Sequence, residues 1–377
     1  MPEALPRKLV HRLVLLNSMS SFLMGSLGFS IQLIKRDFEL TRVIASWHNI
    51  GWAAALVFMS ILLLKGTHRR PAHQTMRIGW GFLIVGSVSY CLSPNIYFSV
   101  PAVIITASGS VIAGNTISAI LTTHSKTALK NMFRSTGVGV LLSAVAPTII
   151  GLATQVEIPW RVTMSVTALI IGTVALIIIP ELEARPAPAD KAGKITWDKP
   201  FLYILIFAFL TITMEISLSS WALDLLTERG TQVKIAVLFA TVSPYFVAFS
   251  RIYLSVKDTH NVHRIWNFSI IAITTGTLLI IFTNSPTLTL AGLVIASAGV
   301  GPCASISIAN ASGSDQGADR GIAAFVIGMG ISCGVSPWIM GFISENFGFA
   351  AAYGTILFIL IFATYFFKAI NRAKVAL

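Results

Sequence analysis

The chain has 377 residues, 55% of them hydrophobic and only 11% charged, with a formal net charge of +12. Soluble domains carry about 25% charged residues, so this composition excludes an ordinary soluble enzyme and points to a protein that crosses a membrane many times. The basic residues sit between apolar runs rather than in one patch, which suits membrane orientation and excludes nucleic acid as a partner.

Twelve apolar segments follow one another, at about 13–34, 43–64, 76–93, 98–121, 135–155, 160–180, 201–223, 233–254, 264–283, 286–309, 321–343 and 349–370. Each approaches the ~20 residues that a spanning helix needs. Backbone groups in hydrocarbon must be satisfied within the segment, so the expected class is an all-α membrane protein of twelve transmembrane helices. The start, MPEALPRKLVHR, runs into the first segment with no small-residue cleavage signal and reads as a retained helix. One connection is long: the Pro-rich, mixed-charge stretch ELEARPAPADKAGKITWDKP, read as a cytoplasmic linker at 181–200. It separates a six-helix unit at 1–180 from a second at 201–377.

Lys and Arg set the orientation. With the N-terminus inside, 21 of the 27 fall on the inner side and six outside: Lys35, Arg36, Arg42, Arg161, Arg229 and Lys234. That bias places both termini in the cytoplasm, in a cell (inner) membrane. Arg251 is counted with the inner group.

The two units repeat. KGTH at Lys65–His68 returns as KDTH at Lys257–His260. Pro147 and Gly151 in segment five return as Pro337 and Gly341 in segment eleven, shifted by 190 positions. ITASGSVIAG in segment four is answered by VIASAGVG in segment ten. Two pseudo-symmetric six-helix bundles are the build of many secondary transporters.

On these features the chain resembles the major facilitator superfamily of secondary transporters, over about residues 13–370. GVLLSAVAPTIIG is similar to the antiporter-associated helix-5 motif of that family, with Pro147 and Gly151 matching and Ala146 in place of a glycine. KGTHRRPAHQTMRIG is similar to its loop between helices 2 and 3, keeping Gly66, Arg69, Arg70 and Arg77 without the acid. Glu215 with Trp221, and GFISENFGFAAAY after segment eleven, look like bacterial fucose-permease and small-molecule efflux types. The resemblance implies a cavity lined by helices 1, 4, 7 and 10, with gating at Arg69, Arg70, Pro147, Gly151, Pro337 and Gly341.

Glu215 lies deepest of all the acids in an apolar run. An ionised carboxylate in hydrocarbon costs on the order of 2.5–3.5 kcal/mol, so Glu215 is expected to face a wet cavity or a partner and to carry the proton. Thr211, Glu215 and Ser219 share one helical face. Asn17 and Gln32 lie on one stripe of segment one with Ser21, Gly25 and Gly28. Asn115 shares a face of segment four with Ser118 and Thr122. Asn310 shares one of segment ten with Cys303 and Ser307. The expected substrate-binding set is Asn17, Gln32, Asn115, Thr211, Ser219, Trp221 and Asn310. Asn17, Gln32, Asn115 and Asn310 are the expected partners of Glu215. The bland reading of the Ser and Gly residues is close helix packing.

Trp47, His48, Asn49 and Trp52 read as an aromatic belt or an outer gate. Arg36 and Asp37 read as an interfacial ion pair or a solvated turn rather than a substrate clamp. Cys91, Cys303 and Cys333 have no metal-ligand spacing, and no GxxxxGK[ST], HExxH, CxxC or GxSxG motif occurs, so no metal, cofactor or enzyme activity is expected. The sequence supports a monomeric, proton-coupled transporter of a small organic solute, with export first and uptake of a neutral sugar-like solute second. A non-transporting receptor and a channel are the competing readings. With no deep Arg or Lys expected in the cavity, a dianionic substrate is disfavoured.

Overall fold

The computed structural model describes residues 5–40, 42–45, 47–66, 70–122, 125–155, 157–181, 197–232, 235–236, 239, 242–256, 261–312 and 318–375. They form eleven long helices, and no strand occurs among the described residues: α1 Arg7–Asp37, α2 Trp47–Gly66, α3 Ala72–Leu92, α4 Ile96–Leu121, α5 Ser125–Gln155, α6 Trp160–Ile178, α7 Lys199–Ser220, α8 Val242–Val256, α9 Val262–Phe282, α10 Pro286–Ser312 and α11 Ala318–Val375. Short helices at Arg42–Ala45 and Ala222–Glu228 follow α1 and α7.

Local sequence sets several helix starts. Asn95 Oδ1 accepts from the Tyr97 N–H at 3.0 Å ahead of α4, Asp198 Oδ1 from Phe201 at 3.1 Å ahead of α7, and Asn261 Oδ1 from Arg264 at 3.0 Å ahead of α9. Such caps contribute about 1 kcal/mol each. α11 is two limbs, 318–347 and 349–375, meeting at Gly348 (φ 79°, ψ 167°), a backbone setting that glycine reaches without penalty. Several buried hydroxyls are satisfied inside their own helices: Ser18 donates to Val14 O, Ser26 to Phe22 O and Ser336 to Ser332 O.

Nine helices among the described residues are long and apolar enough to cross a membrane, and one of them holds both limbs of α11. Trp47–Leu62 and the 15-residue α8 are shorter. Together they account for the twelve expected segments. Most of the linker and of the two KxTH loops lies outside the described residues.

The repeat extends to helix packing. α3 and α4 meet at Gly86 against Thr106 and at Gly109 against Phe82 and Leu83. α9 and α10 meet at Gly276 against Ala296 and at Gly299 against Ala272 and Ile273. Every residue of the second set is one of the first shifted by 190 positions. Neither glycine of either pair has room for a side chain, so both contacts rest on close backbone approach.

Two seams join the first six spans to the last six. At α5–α8, a Cβ on Gly137 would lie 3.0 Å from Arg251 Cβ and 3.1 Å from Ile252 N, and Thr136 Oγ1 meets Ser305 Oγ of α10 at 2.7 Å. At α2–α11, a Cβ on Gly330 would lie 2.8 Å from Leu56 Cβ. The apolar core of the first six spans runs on into Phe201, Ile204, Ala304, Ile308 and Phe325. These residues lie near the starts of α7 and α11 and the end of α10, on the side where α1 begins. The halves are closed together on that side.

Candidate functional site

Glu215 of α7 is ion-paired, through Oε2, with Arg251 Nη2 of α8. The arginine is 3% exposed, while the glutamate side chain keeps 20% of its surface open. Arg251 Nε donates to Gly301 O of α10 at 2.5 Å. That reach depends on glycine at 301, because a Cβ there would overlap Ser250 and come within 2.8 Å of Val247 O. The arginine's other flank is covered by Gly137 of α5. A paired buried charge tolerates low dielectric, whereas removing one partner costs about 3–5 kcal/mol.

This corrects two expectations. The described partner of Glu215 is Arg251, not Asn17 or Asn115, and Arg251 is a buried residue of α8 rather than a loop charge on the inner face. The span region therefore does contain a deep arginine. A signal for it was present: Arg251 interrupts segment eight, and intramembrane charges tend to pair with one another. It passed as one more inner-side basic residue because it stands near a helix end.

The remaining expected site residues divide sharply. Asn17 lies between α4 and α5: a Cβ on Gly114 would be 3.9 Å from its Oδ1 and one on Gly139 3.7 Å from its Nδ2. Asn17 and Asn115 are both half-buried, and among the described residues neither carboxamide has a hydrogen-bond partner. Thr211 is fully buried, its hydroxyl donating to Phe207 O and Ala208 O at 3.0 and 3.1 Å. Ser219 donates to Ile216 O at 3.2 Å. These two hydroxyls are engaged within α7. Asn310 is buried near the end of α10. The side chain of Gln32, the surroundings of Gly151 and all of Arg69 lie outside the described residues, and Arg70 is exposed beside the Pro71 start of α3.

Trp221, at the end of α7, donates its indole N–H to Pro337 O at 3.0 Å. Its ring lies against Gly341, where an added Cβ would stand 2.9 Å from Cζ2. The expected substrate-stacking tryptophan is thus tied to two of the expected gating residues. Pro147 stands within α5, half-buried.

The far end of the first six spans is polar and well connected. His48 is fully buried, with Nδ1 on Ala45 O at 2.8 Å and Nε2 on Ser99 Oγ at 2.9 Å, edge-on to Tyr90. Its partners come from α3 and α4, so it locks one half internally. Trp47 is exposed, as an aromatic belt residue would be. Asp37, at the end of α1, accepts from Arg161 Nε and Trp160 Nε1, both at 3.1 Å, so its ion pair is with Arg161 of α6; the side chain of Arg36 lies outside the described residues.

The repeat is chemically unequal. The position matching Glu215 is Gly25, where a Cβ would lie 2.8 Å from Ser143 Cα. The positions matching Asn17 and Asn115 are Phe207 and Ser305. One half carries the charge pair and the other the free carboxamides.

No family model matches the sequence, and no curated protein does. Solved structures do. The transporter FucP in its outward conformation superposes with TM-score 0.75 at 13% identity, over 95% of this chain and 98% of that one. The human organic anion transporter MFSD10 gives 0.74 at 12%, over 97% and 100%. The proton:xylose symporter XylE gives 0.74 at 11%, over 95% of each. With the twelve spans and closed helical packing described above, these superpositions establish that the chain is a multi-pass, all-helical protein with the fold of the major facilitator superfamily.

Proposed function

We propose that the protein is a proton-coupled secondary transporter of a small organic solute, working by alternating access. The observation that carries this reading is the Glu215–Arg251 pair, whose glutamate is part-exposed while its arginine is sealed. A carboxylate poised between a buried cation and an opening can take up a proton from one side and return it to the other as the opening changes sides. Residues 1–180 rock against 201–377 around the site, with the cytoplasmic linker at 181–200 between them. The protein acts as a monomer in the cell (inner) membrane, with both termini in the cytoplasm, as the distribution of Lys and Arg supports. Closure on the side where α1 begins then corresponds to an outward-open state. Asn17 and Asn115 face the solute from the first half, and Trp221 with Pro337 and Gly341 moves as a unit with α11.

Export rests on Pro147 and Gly151 in α5. A second reading, uptake, is favoured by the likeness to XylE, a proton symporter. Purified protein in proteoliposomes with an entrapped pH dye separates them. A pH change of the lumen on adding solute, and its sign, gives coupling and direction. Counterflow of a solute with no pH change removes the proton; absence of counterflow for every solute favours a receptor.

A further inference from the structure

We propose that the solute is a small organic monocarboxylate, which replaces Glu215 on Arg251 when Glu215 is protonated. This rests on the proton-coupled reading above. Arg251 is 3% exposed, with Glu215 as its counter-ion. Close enough to Glu215 to feel its charge are Cys303 of α10 and Cys333 of α11, and α5 covers the arginine with Gly137. Among the described residues named here, Arg251 is the one that carries a positive charge.

When a proton from solution bonds to the Glu215 carboxylate, the ion pair breaks and Arg251 loses its counter-charge. A buried, uncompensated guanidinium is unfavourable. A carboxylate is the group that best restores the balance, since the planar fork of arginine donates two parallel hydrogen bonds to it. One proton gained and one anion bound sum to zero charge, so the loaded and empty sites are equally neutral. A dianion would leave one charge uncompensated. In the first half, the half-buried carboxamides of Asn17 and Asn115 offer donors and acceptors with no partner among the described residues, which suits hydroxyl or amide groups on the rest of the solute. Proton and anion then favour each other's binding, and the two move together.

The test measures binding and transport of glycolate, lactate, glycerate and gluconate against their neutral counterparts ethylene glycol, propane-1,2-diol, glycerol and glucitol. At least one carboxylate is expected to raise the melting temperature, with affinity falling about tenfold per pH unit above the Glu215 titration, as linkage to one proton requires. Glu215→Gln is expected to bind the same carboxylate with no pH dependence. The doubly neutral Glu215→Gln/Arg251→Gln variant, which leaves no unpaired charge to unfold it, is expected to lose at least tenfold in that affinity. Equal binding by both variants, a neutral counterpart binding as well as its acid, or no carboxylate binding at all overturns the inference. Solute-coupled proton flux with the neutral compounds would overturn the carboxylate class and leave proton coupling standing. Carboxylate counterflow without proton movement would do the reverse.

Discussion

Gly137 of α5 lies directly on Arg251 of α8, so near that a Cβ at residue 137 would stand 3.0 Å from the arginine Cβ. The same arginine neutralises Glu215. The seam between the halves and the charge pair are therefore one construction. In the proposed cycle, rocking that lifts α5 from α8 would uncover Arg251, so a change in the pair would be felt at the seam.

Gly137→Leu is accordingly expected to prop this seam open. Spin labels at positions 130 and 264, on α5 and α9, are expected to report a longer distance in the variant than in the native protein. Transport is expected to fall at least tenfold while the protein stays folded. An unchanged distance distribution would show that the close approach is not needed for closure.

Breaking the pair from either side is expected to destabilise the protein, because each change leaves one charge without its partner. Arg251→Ala leaves a carboxylate in low dielectric, a loss of about 3–5 kcal/mol when one partner of a buried pair is deleted. Glu215→Gln keeps a hydrogen-bonding group of the same shape but leaves the buried guanidinium without its counter-charge, so it too is expected to melt below the native protein, while losing proton-driven accumulation and retaining solute exchange. Melting temperatures in detergent give the first comparison and vesicle transport the second. The idea fails if either variant melts with the native protein, or if Glu215→Gln still responds to a pH gradient.

The spans, their number and the repeat were legible in the sequence because each is written over many residues. Twenty apolar positions average out local exceptions, and the 190-residue shift recurs in proline, glycine and small-residue patterns alike. The site was legible only in part. Glu215, Asn17 and Asn115 stand out as polar groups in apolar surroundings. Which of them meet depends on helix rotation and on partners many residues away, which periodicity does not encode. Arg251 was hidden by its place near a helix end, where a cation also serves to orient the chain. Thr211 fell on the right face, yet its hydroxyl bonds to the turn behind it, a choice open to any helical Thr.

Trp221 couples the end of α7 to the proline of α11, so two substitutions there are expected to differ in kind. Trp221→Phe keeps an aromatic ring but loses the pyrrole edge of the indole, and with it one hydrogen bond to Pro337 O, which alone is worth about 0.5–1.5 kcal/mol. Gly341→Val forces a side chain into the indole ring, where overpacking costs about 1–3 kcal/mol. If the unit moves with the transport cycle, Gly341→Val slows transport more than its stability loss explains. Equal slowing by both variants, in proportion to melting temperature, would make the contact purely structural.

Arg161 also holds the carbonyls of Cys91 and Ser93 at 2.9 and 2.8 Å, besides pairing with Asp37. Asp37→Asn removes only a part-exposed, salt-screened pair and is expected to cost under about 1 kcal/mol. Arg161→Ala also strips the end of α3 of two donors and is expected to cost more. Thermal unfolding at low and high salt checks both points: the Asp37 effect is expected to shrink with salt, and most of the Arg161 effect to persist.

Gly25 stands where the repeat would place a second Glu215, and it rests against the backbone of Ser143. A carboxylate at residue 25 would have no volume to occupy without parting α1 from α5. Duplication thus supplied two copies of the scaffold but room for acid chemistry in only one. Under the coupling proposed above, the stoichiometry of one proton per turnover is fixed by steric exclusion in the silent half, and no single substitution at residue 25 would raise it to two.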